Sequence, residues 1–185
     1  MMALVSIRLL LATVIAAILL SSNLRSECGK PKSRFTNMLC ESFNESYASF
    51  KNCKLNLLGR GRVGASLYVK LFQLPIDNSR INMAIYRRYN GFRPFLYNVS
   101  VDLCHLLEKN NFLSFEGLVI NAIMTRSNLN HSCPYNHDII LDNLEFSDDF
   151  LKTLPLPQGV YKIQLRFASN KVWRAQVSIL FEREE

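Results

Sequence analysis

The glycine-rich segment at residues 59–64 has the letters of a nucleotide-binding loop. Its sequence, GRGRVG, matches G-x-G-x-x-G, a pattern whose glycines leave a strand and open a helix that holds a pyrophosphate at its amino terminus. The residues that follow, 65–71, alternate between apolar and polar with the period of a strand. Because no helix begins there, we interpret the segment as a hairpin turn with two solvated arginines, Arg60 and Arg62, and we expect no cofactor.

A cluster of histidines and cysteines carries the side chains that bind zinc or form nucleophiles. His131, Cys133 and His137 lie close in sequence, and Cys104 precedes His105. Structural zinc sites usually contain paired elements such as C-x2-C, and this cluster lacks a second cysteine pair. A disulfide at Cys133 would also remove the thiolate that a nucleophile needs. No G-x-S-x-G signature or carboxylate pair stands out, so we predict no metal site, no catalytic residues and no enzyme.

Basic residues are concentrated in one part of the chain, where Asp77 is the only acidic residue. They are Lys51, Lys54, Arg60, Arg62, Lys70, Arg80, Arg87, Arg88 and Arg93. This pattern is typical of a solvated strand face. The alternative is attraction to an anionic surface, such as lipid head groups or glycans, or to an acidic partner.

The first 22 residues have the pattern of a signal peptide. Arg8 is the only charge before the apolar run at residues 9–20, and Ser21 and Ser22 supply small residues for cleavage. The run is shorter than the roughly 20 apolar residues of a membrane span. We predict a secreted, extracellular product with no membrane span after cleavage, the alternative being an uncleaved signal anchor. Nucleic acid is not an expected partner outside the cell.

Length and composition predict one folded domain. The 185 residues are 49% hydrophobic and 20% charged, with 7 Gly, 6 Pro and a net charge of +7. These values exclude a disordered or collagenous chain, because enough apolar surface is available for a core. The predicted organisation is a signal peptide over residues 1–22, an amino-terminal extension over 23–34 and one domain over 35–185.

All five cysteines (Cys28, Cys40, Cys53, Cys104 and Cys133) follow the predicted signal peptide. Disulfides persist in the oxidising extracellular compartment. Four cysteines allow three connectivities, and sequence cannot choose among them. We favour the local pairs Cys40–Cys53 and Cys104–Cys133, since each interval can hold a turn or a helix, and this leaves Cys28 unassigned.

Three N-x-[ST] sequons, at Asn44, Asn98 and Asn130, predict a glycosylated surface. Asn98 is the best candidate, because the alternation around it points its side chain outward. Asn130 is close to Cys133, which could hinder glycosylation.

Apolar residues recur at every second position in five segments, which predicts strands with one buried face. The segments are 65–71, 81–85, 95–101, 161–167 and 173–181. In the last, Trp173 falls on the same face as Ala175, Val177, Ile179 and Phe181. Asn90-Gly91 and residues 168–170 mark turns. Several short strands of this kind predict an all-β antiparallel sandwich or barrel.

Two interruptions of this pattern have helical spacing. Apolar residues from Phe115 to Ile123 form a stripe after Ser114, and Leu103, Leu106 and Leu107 follow Asp102. Ser and Asp are favoured caps at the start of a helix. Residues 148–154 are interpreted as one further helical turn.

Several ordered motifs carry a family resemblance. They include FTNMLC at 35–40, FKNC at 50–53, GFRPFLYN at 91–98, SNLNHSCPY at 127–135 and LPLPQGVY at 154–161. With these motifs the chain resembles a large family of secreted insect proteins, best populated in fruit flies, that carry a domain of unknown function. That family is similar to ML-type lipid-recognition domains and to insect proteins linked to gustatory sensing.

The resemblance implies an immunoglobulin-like β-sandwich whose two sheets part to admit an apolar ligand. Cys40, Cys53, Cys104 and Cys133 fall on the family's cysteine positions, and Cys28 does not. The expected function is therefore binding of a small hydrophobic or lipid ligand between the sheets, in chemosensory or lipid-related signalling. The alternative is a ligand-free module that docks a receptor or another extracellular partner.

The inward-facing positions of the predicted strands are the candidate ligand-lining residues. Met83 is of special interest because an unbranched thioether adapts to ligands of irregular shape. The candidates are Leu67, Val69, Leu71, Ile81, Met83, Ile85, Phe95, Tyr97, Val99, Ile163 and Leu165.

Overall fold

The structure, a computed structural model, describes residues 33–109, 113–146, 154 and 156–184. The predicted signal peptide, Cys28 and all but the end of the amino-terminal extension lie outside the described residues. So does most of the helical turn predicted at 148–154. The first strand begins at Ser33, slightly before the predicted domain boundary at residue 35.

The described chain folds into two antiparallel sheets, as the alternating segments predict. One sheet has five strands in the order β1-β8-β7-β4-β5, and the other has three in the order β2-β3-β6. The strands are β1 (Ser33–Ser42), β2 (Ala48–Gly59), β3 (Arg62–Leu71), β4 (Arg80–Tyr89), β5 (Gly91–Asp102), β6 (Ile139–Glu145), β7 (Gly159–Ser169) and β8 (Val172–Arg183). Buried side chains from both sheets share one core, so the fold is an all-β sandwich.

Tight turns join the consecutive hairpin strands. Gly59, Arg60 and Gly61 have φ of 88°, 52° and 76° between β2 and β3, a left-handed backbone that glycine adopts without steric cost. The glycine-rich segment is therefore a hairpin turn, as predicted. Gly91, with φ of 118°, turns β4 into β5 in the same way.

Two short helices connect β5 of the larger sheet to β6 of the smaller one. In α1 (Leu103–Lys109) the Asp102 carboxylate accepts the His105 backbone N–H at 3.0 Å, and in α2 (Phe115–Met124) the Ser114 hydroxyl accepts that of Gly117 at 3.3 Å. Both predicted caps are thus present. Strand β5 is an edge strand of the larger sheet, and β6 is an edge strand of the smaller sheet. Since α2 contacts both strands, it covers the side of the sandwich between these two edges.

The two disulfides are those that the sequence favoured. Cys40–Cys53 joins β1 to β2, and therefore one sheet to the other, with a Cα–Cα distance of 6.3 Å. Cys104–Cys133 joins α1 to the loop before β6, with a Cα–Cα distance of 5.4 Å. Among the described residues, no helix has both the length and the apolar character needed to cross a membrane.

An apolar cavity between the two sheets

A cavity of about 230 Å³ lies between the sheets and is partly open to solvent. Strands β3 and β6 of the smaller sheet line it, and β7 and β8 of the larger sheet line it as well. Helix α2 and the loop after it contribute further side chains. The lining is almost entirely apolar, which is the usual character of sites for small hydrophobic molecules.

Five of the eleven candidate ligand-lining residues line this cavity. They are Leu67, Val69, Leu71, Ile163 and Leu165. These residues come from β3 and β7, which the sequence correctly treated as two inner faces of one sandwich.

The other six candidates lie elsewhere. Ile81, Met83 and Ile85 of β4 are fully buried within the packed core, and Phe95, Tyr97 and Val99 of β5 pack against it. The same core contains Leu107 and Phe115 from the helices, and the Tyr97 and Phe115 rings stack at 4.3 Å. The helices therefore occupy the space in front of β4 and β5 that the sequence assigned to a ligand.

Much of the lining was not among the sequence candidates. It includes Ala175, Val177 and Ile179 of β8, Val119, Ile120 and Ile123 of α2, and Ile139 and Leu141 of β6. The alternation of β8 and the apolar stripe of α2 were both visible in the sequence and would have indicated inward-facing residues. The apolar part of β6, at residues 139–141, is too short to show a period.

A basic side chain, Arg174, lies at one end of the mainly apolar cavity. Its guanidinium carbon is 4.2 Å from the centre of the Tyr47 ring, and both residues line the cavity. Ser79 and Ser169 also line it and belong to the same end, because Arg80 pairs with Ala168 in the β4–β7 ladder. The polar groups here can donate hydrogen bonds to an anion or to a hydroxyl oxygen.

Glu145 lies at the other end of β3, where Gly64 pairs with it. Its carboxylate is 3.4 Å from the guanidinium of Arg62. The Arg62 side chain, expected to be solvated, is exposed but forms this ion pair.

Asp138 fixes the end of β3 that contributes Leu71 to the cavity. One carboxylate oxygen accepts the Leu71 backbone N–H at 3.0 Å, and the other accepts the Tyr68 hydroxyl at 2.9 Å and Lys70 Nζ at 3.2 Å. The hydrogen bond from Leu71, with those from Tyr68 and Lys70, holds the pKa of the Asp138 carboxyl below its ordinary value of 3.8, although burial opposes this shift. The hydrogen bond to Asp138 in turn raises the pKa of Tyr68.

Tyr135 anchors the loop between α2 and β6 beside the cavity. Its backbone exchanges hydrogen bonds with that of Ile76, at 2.8 and 2.9 Å, and its hydroxyl donates to the carbonyl oxygen of His131. Burial raises the pKa of Tyr135 to about 12. The phenol therefore remains a neutral donor at physiological pH, with its ring among the apolar side chains of the lining.

The histidines of this loop pair with each other. The Nε2 atoms of His131 and His137 are 2.9 Å apart, whereas Cys133 lies in a disulfide. Within the part of the chain that the structure describes, no three His, Cys, Asp or Glu side chains are grouped so that they could hold a metal ion.

The basic residues predicted as one solvated face are distributed over both sheets. Lys70 pairs with Asp138, and Arg87 donates to the Gln158 carbonyl oxygen at 2.9 Å. Lys51, Lys54, Arg60, Arg80, Arg88 and Arg93 are exposed. Because they extend from β2 to β5, they do not belong to a single strand face.

The three sequons differ in their surroundings. Asn98 and Asn130 are exposed, whereas Asn44 is half-buried and its side-chain oxygen accepts the Ser46 backbone N–H and hydroxyl. Glycosylation at these positions stays a prediction.

The geometry defines a class of protein, an all-β sandwich with an apolar cavity between its sheets. Residues 81–163 are similar to a family described as "Protein of unknown function (DUF1091)". The matched segment, slightly less than half of the chain, extends from β4 to β7 and includes both helices and the Cys104–Cys133 disulfide. No curated protein matches the chain.

Proposed function

We propose that the protein binds a small hydrophobic or lipid ligand in the cavity between its two sheets and acts as an extracellular carrier rather than an enzyme. The observation that supports this proposal is the apolar void of about 230 Å³. An apolar cavity of about 150 Å³ stays dry and binds benzene. The void is below the range of about 300–1,000 Å³ for drug-sized ligands, so the ligand is a single chain or a small ring system.

The energetic cost of an empty cavity supports the same proposal. Residual enclosed cavities lower protein stability by about 24 cal/mol per Å³, so a closed and empty void of 230 Å³ would cost about 5.5 kcal/mol, which is an upper bound for this partly open one. Domains are stable by only about 5–15 kcal/mol in total. A ligand that fills the void recovers much of this loss, which favours a binding site over a packing defect.

The signal-peptide pattern at residues 1–22 and the two disulfides support the proposed extracellular location. The resemblance to ML-type lipid-recognition domains agrees with a ligand held between two sheets. The biological role that we propose for this carrier is chemosensory or lipid-related signalling.

The alternative, a ligand-free docking module, has weaker support from the surface. Of the exposed leucines, Leu74 and Leu113 lie in loops, whereas Leu39, Leu57 and Leu96 lie on three different strands, β1, β2 and β5. Each of these strands is at the edge of its sheet. Single apolar side chains on a surface are normal, whereas interaction sites form contiguous patches. The carrier proposal is therefore the better supported.

Native mass spectrometry of the protein purified from secreting cells tests the proposal. We expect a population heavier than the polypeptide and its glycans by the mass of a small apolar molecule, which organic extraction removes. Val177→Trp, which fills the cavity from β8, should abolish this population, and Gln176→Trp, on the opposite face of β8, should retain it. Ligand-free spectra of the wild type, together with no uptake of decanol by the extracted protein, would contradict the proposal.

A further inference from the structure

We infer that the ligand carries an anionic head group and that Arg174 binds this group while the apolar tail fills the cavity. This inference rests on the proposed function and specifies the chemical class of its ligand. The shared chemistry is that of a single-chain amphiphile that ends in a carboxylate or a phosphate.

A β-bulge directs Arg174 into the cavity. In the β7–β8 ladder Phe167 pairs with Ala175 and Ala168 pairs with Trp173, so Arg174 has no partner on β7. An extra residue in one strand re-aims the side chains around it. Trp173 consequently lies on the outer face, where the Arg166 guanidinium carbon is 4.7 Å from its ring centre, and Arg174 lines the cavity instead. Trp173 was expected on the inner face, and the bulge is the reason that this expectation is wrong.

The Arg174 guanidinium has no anionic partner among the described residues, and the residue is half-buried. Its Nε is buried and makes no hydrogen bond, and among the described residues no carboxylate lies within 4.0 Å of it. The ring of Tyr47 supports one face of the guanidinium, and the Phe43 backbone N–H donates to the Arg174 carbonyl oxygen at 2.9 Å. A donor that is shielded from water is costly unless it forms a hydrogen bond. The unpaired donors at the end of an apolar cavity therefore fit an anion supplied by the ligand.

The geometry of guanidinium favours a carboxylate or a phosphate. Arginine presents its N–H donors as a planar fork that binds either group through two parallel hydrogen bonds. Ser79 and Ser169 line the same end, and serine hydroxyls can donate to the remaining oxygens. Glu145 at the other end is itself anionic and paired with Arg62, so the opposite orientation would bring two negative charges together.

Arg166 provides a matched comparison within the same strand pair. Its Nε is also buried without a hydrogen bond, and its guanidinium also stacks on aromatic rings, those of Phe43 and Trp173. It does not line the cavity. A substitution at Arg166 therefore removes a comparable stacked cation without changing the proposed head-group site.

Isothermal titration of the lipid-extracted protein with decanoate, decyl phosphate and decanol tests the inference in the wild type. The three probes share their apolar chain and differ in their head group. We expect at least one anionic probe to bind about ten to a hundred times more tightly than decanol, because hydrogen bonds to charged groups contribute about twice as much as neutral ones. The tighter of the two anions identifies the head group as carboxylate or phosphate.

Variants connect this preference to Arg174. Arg174→Gln should reduce anion affinity to that of decanol, Arg174→Lys should retain part of the preference, and Arg166→Gln should retain all of it. Equal binding of the three probes by the wild type, or an undiminished anion preference in folded Arg174→Gln, would overturn the inference and leave the carrier function intact. Failure of all three probes to bind would overturn both.

Discussion

The inner faces of β4 and of β7 alternate in the same way, yet one meets a packed core and the other reaches a cavity. Met83 of β4 and Leu165 of β7 are direct partners across the ladder. Met83 is completely buried, whereas Leu165 lines the void. Both residues belong to one core to which α1 and α2 contribute side chains, and the void within that core reaches Leu165 but not Met83. A regular inner face is therefore compatible with either a filled or a hollow interior.

Truncation of an aromatic residue should have the largest effect and should separate the two regions. Phe181 is fully buried and stacks at 4.5 Å on Phe146 and at 5.3 Å on Tyr161, whereas Phe167 is partly exposed and lines the cavity. Phe181→Ala should lower the free energy of unfolding by about 3–5 kcal/mol. Phe167→Ala should cost less, because fewer packed contacts are lost. Urea denaturation measures both, and equal losses would contradict the distinction.

Removal of either disulfide should have the next largest effect. Each pair replaced by serine should lose about 2–4 kcal/mol of unfolding free energy. The bridges span 29 residues for Cys104–Cys133 and 13 for Cys40–Cys53, so chain entropy alone makes the first loss larger by about 0.7 kcal/mol. Urea denaturation of the two double variants measures the order. A larger loss of unfolding free energy on removal of Cys40–Cys53 would contradict this order. It would show that this bridge also stabilises the folded contact between the two sheets, besides restricting the unfolded chain.

Replacing each of the paired residues Met83 and Leu165 by tryptophan should have different consequences for stability and binding. Met83→Trp should overpack the core and lower stability by about 1–3 kcal/mol. Leu165→Trp should enter the void at a smaller cost and reduce uptake of decanol. Thermal melts and titration of both variants test this. If Met83→Trp abolished decanol uptake without loss of stability, the cavity would have to extend to β4, as the sequence alone suggested.

The smallest effect concerns the pH dependence of the cavity wall at Asp138. Its pKa is lower in the folded state than the ordinary 3.8, so its contribution to stability is present above that value and is lost as the pH falls through the folded-state pKa. Asp138→Asn should therefore make stability less dependent on pH below about 4. Melts from neutral to acid pH measure this, with Asp77→Asn, at an exposed loop position, as the control for loss of a carboxylate. Parallel curves for wild type and Asp138→Asn would contradict it.

Local patterns were sufficient for many elements. Alternation predicted β3, β4, β5, β7 and β8, and the caps at Asp102 and Ser114 predicted both helices. These features depend on residues near one another in the chain, so their physical causes are visible in short segments. The favoured disulfides were also local, although the sequence left other connectivities open.

Strands β1 and β2 were not individually assigned, because bulges interrupt their alternation. Their registers shift between Phe35 and Asn37 in β1, and between Phe50 and Asn52 in β2. A bulge adds one residue and reverses the faces of those beyond it. The bulge at Arg174 has the same effect: Trp173, expected on the inner face, lies on the outer face, and Arg174 lines the cavity.

The sequence by itself determined an all-β chain with apolar inner faces, two helix starts and enough cysteines for two local bridges. Only the tertiary structure decided where the interior is empty and which polar side chain enters it. The reason is physical. Alternation records which face of a strand avoids water, but a cavity depends on how side chains from distant strands and helices fill the shared space, and Arg174 reaches it only through the register of β8 against β7.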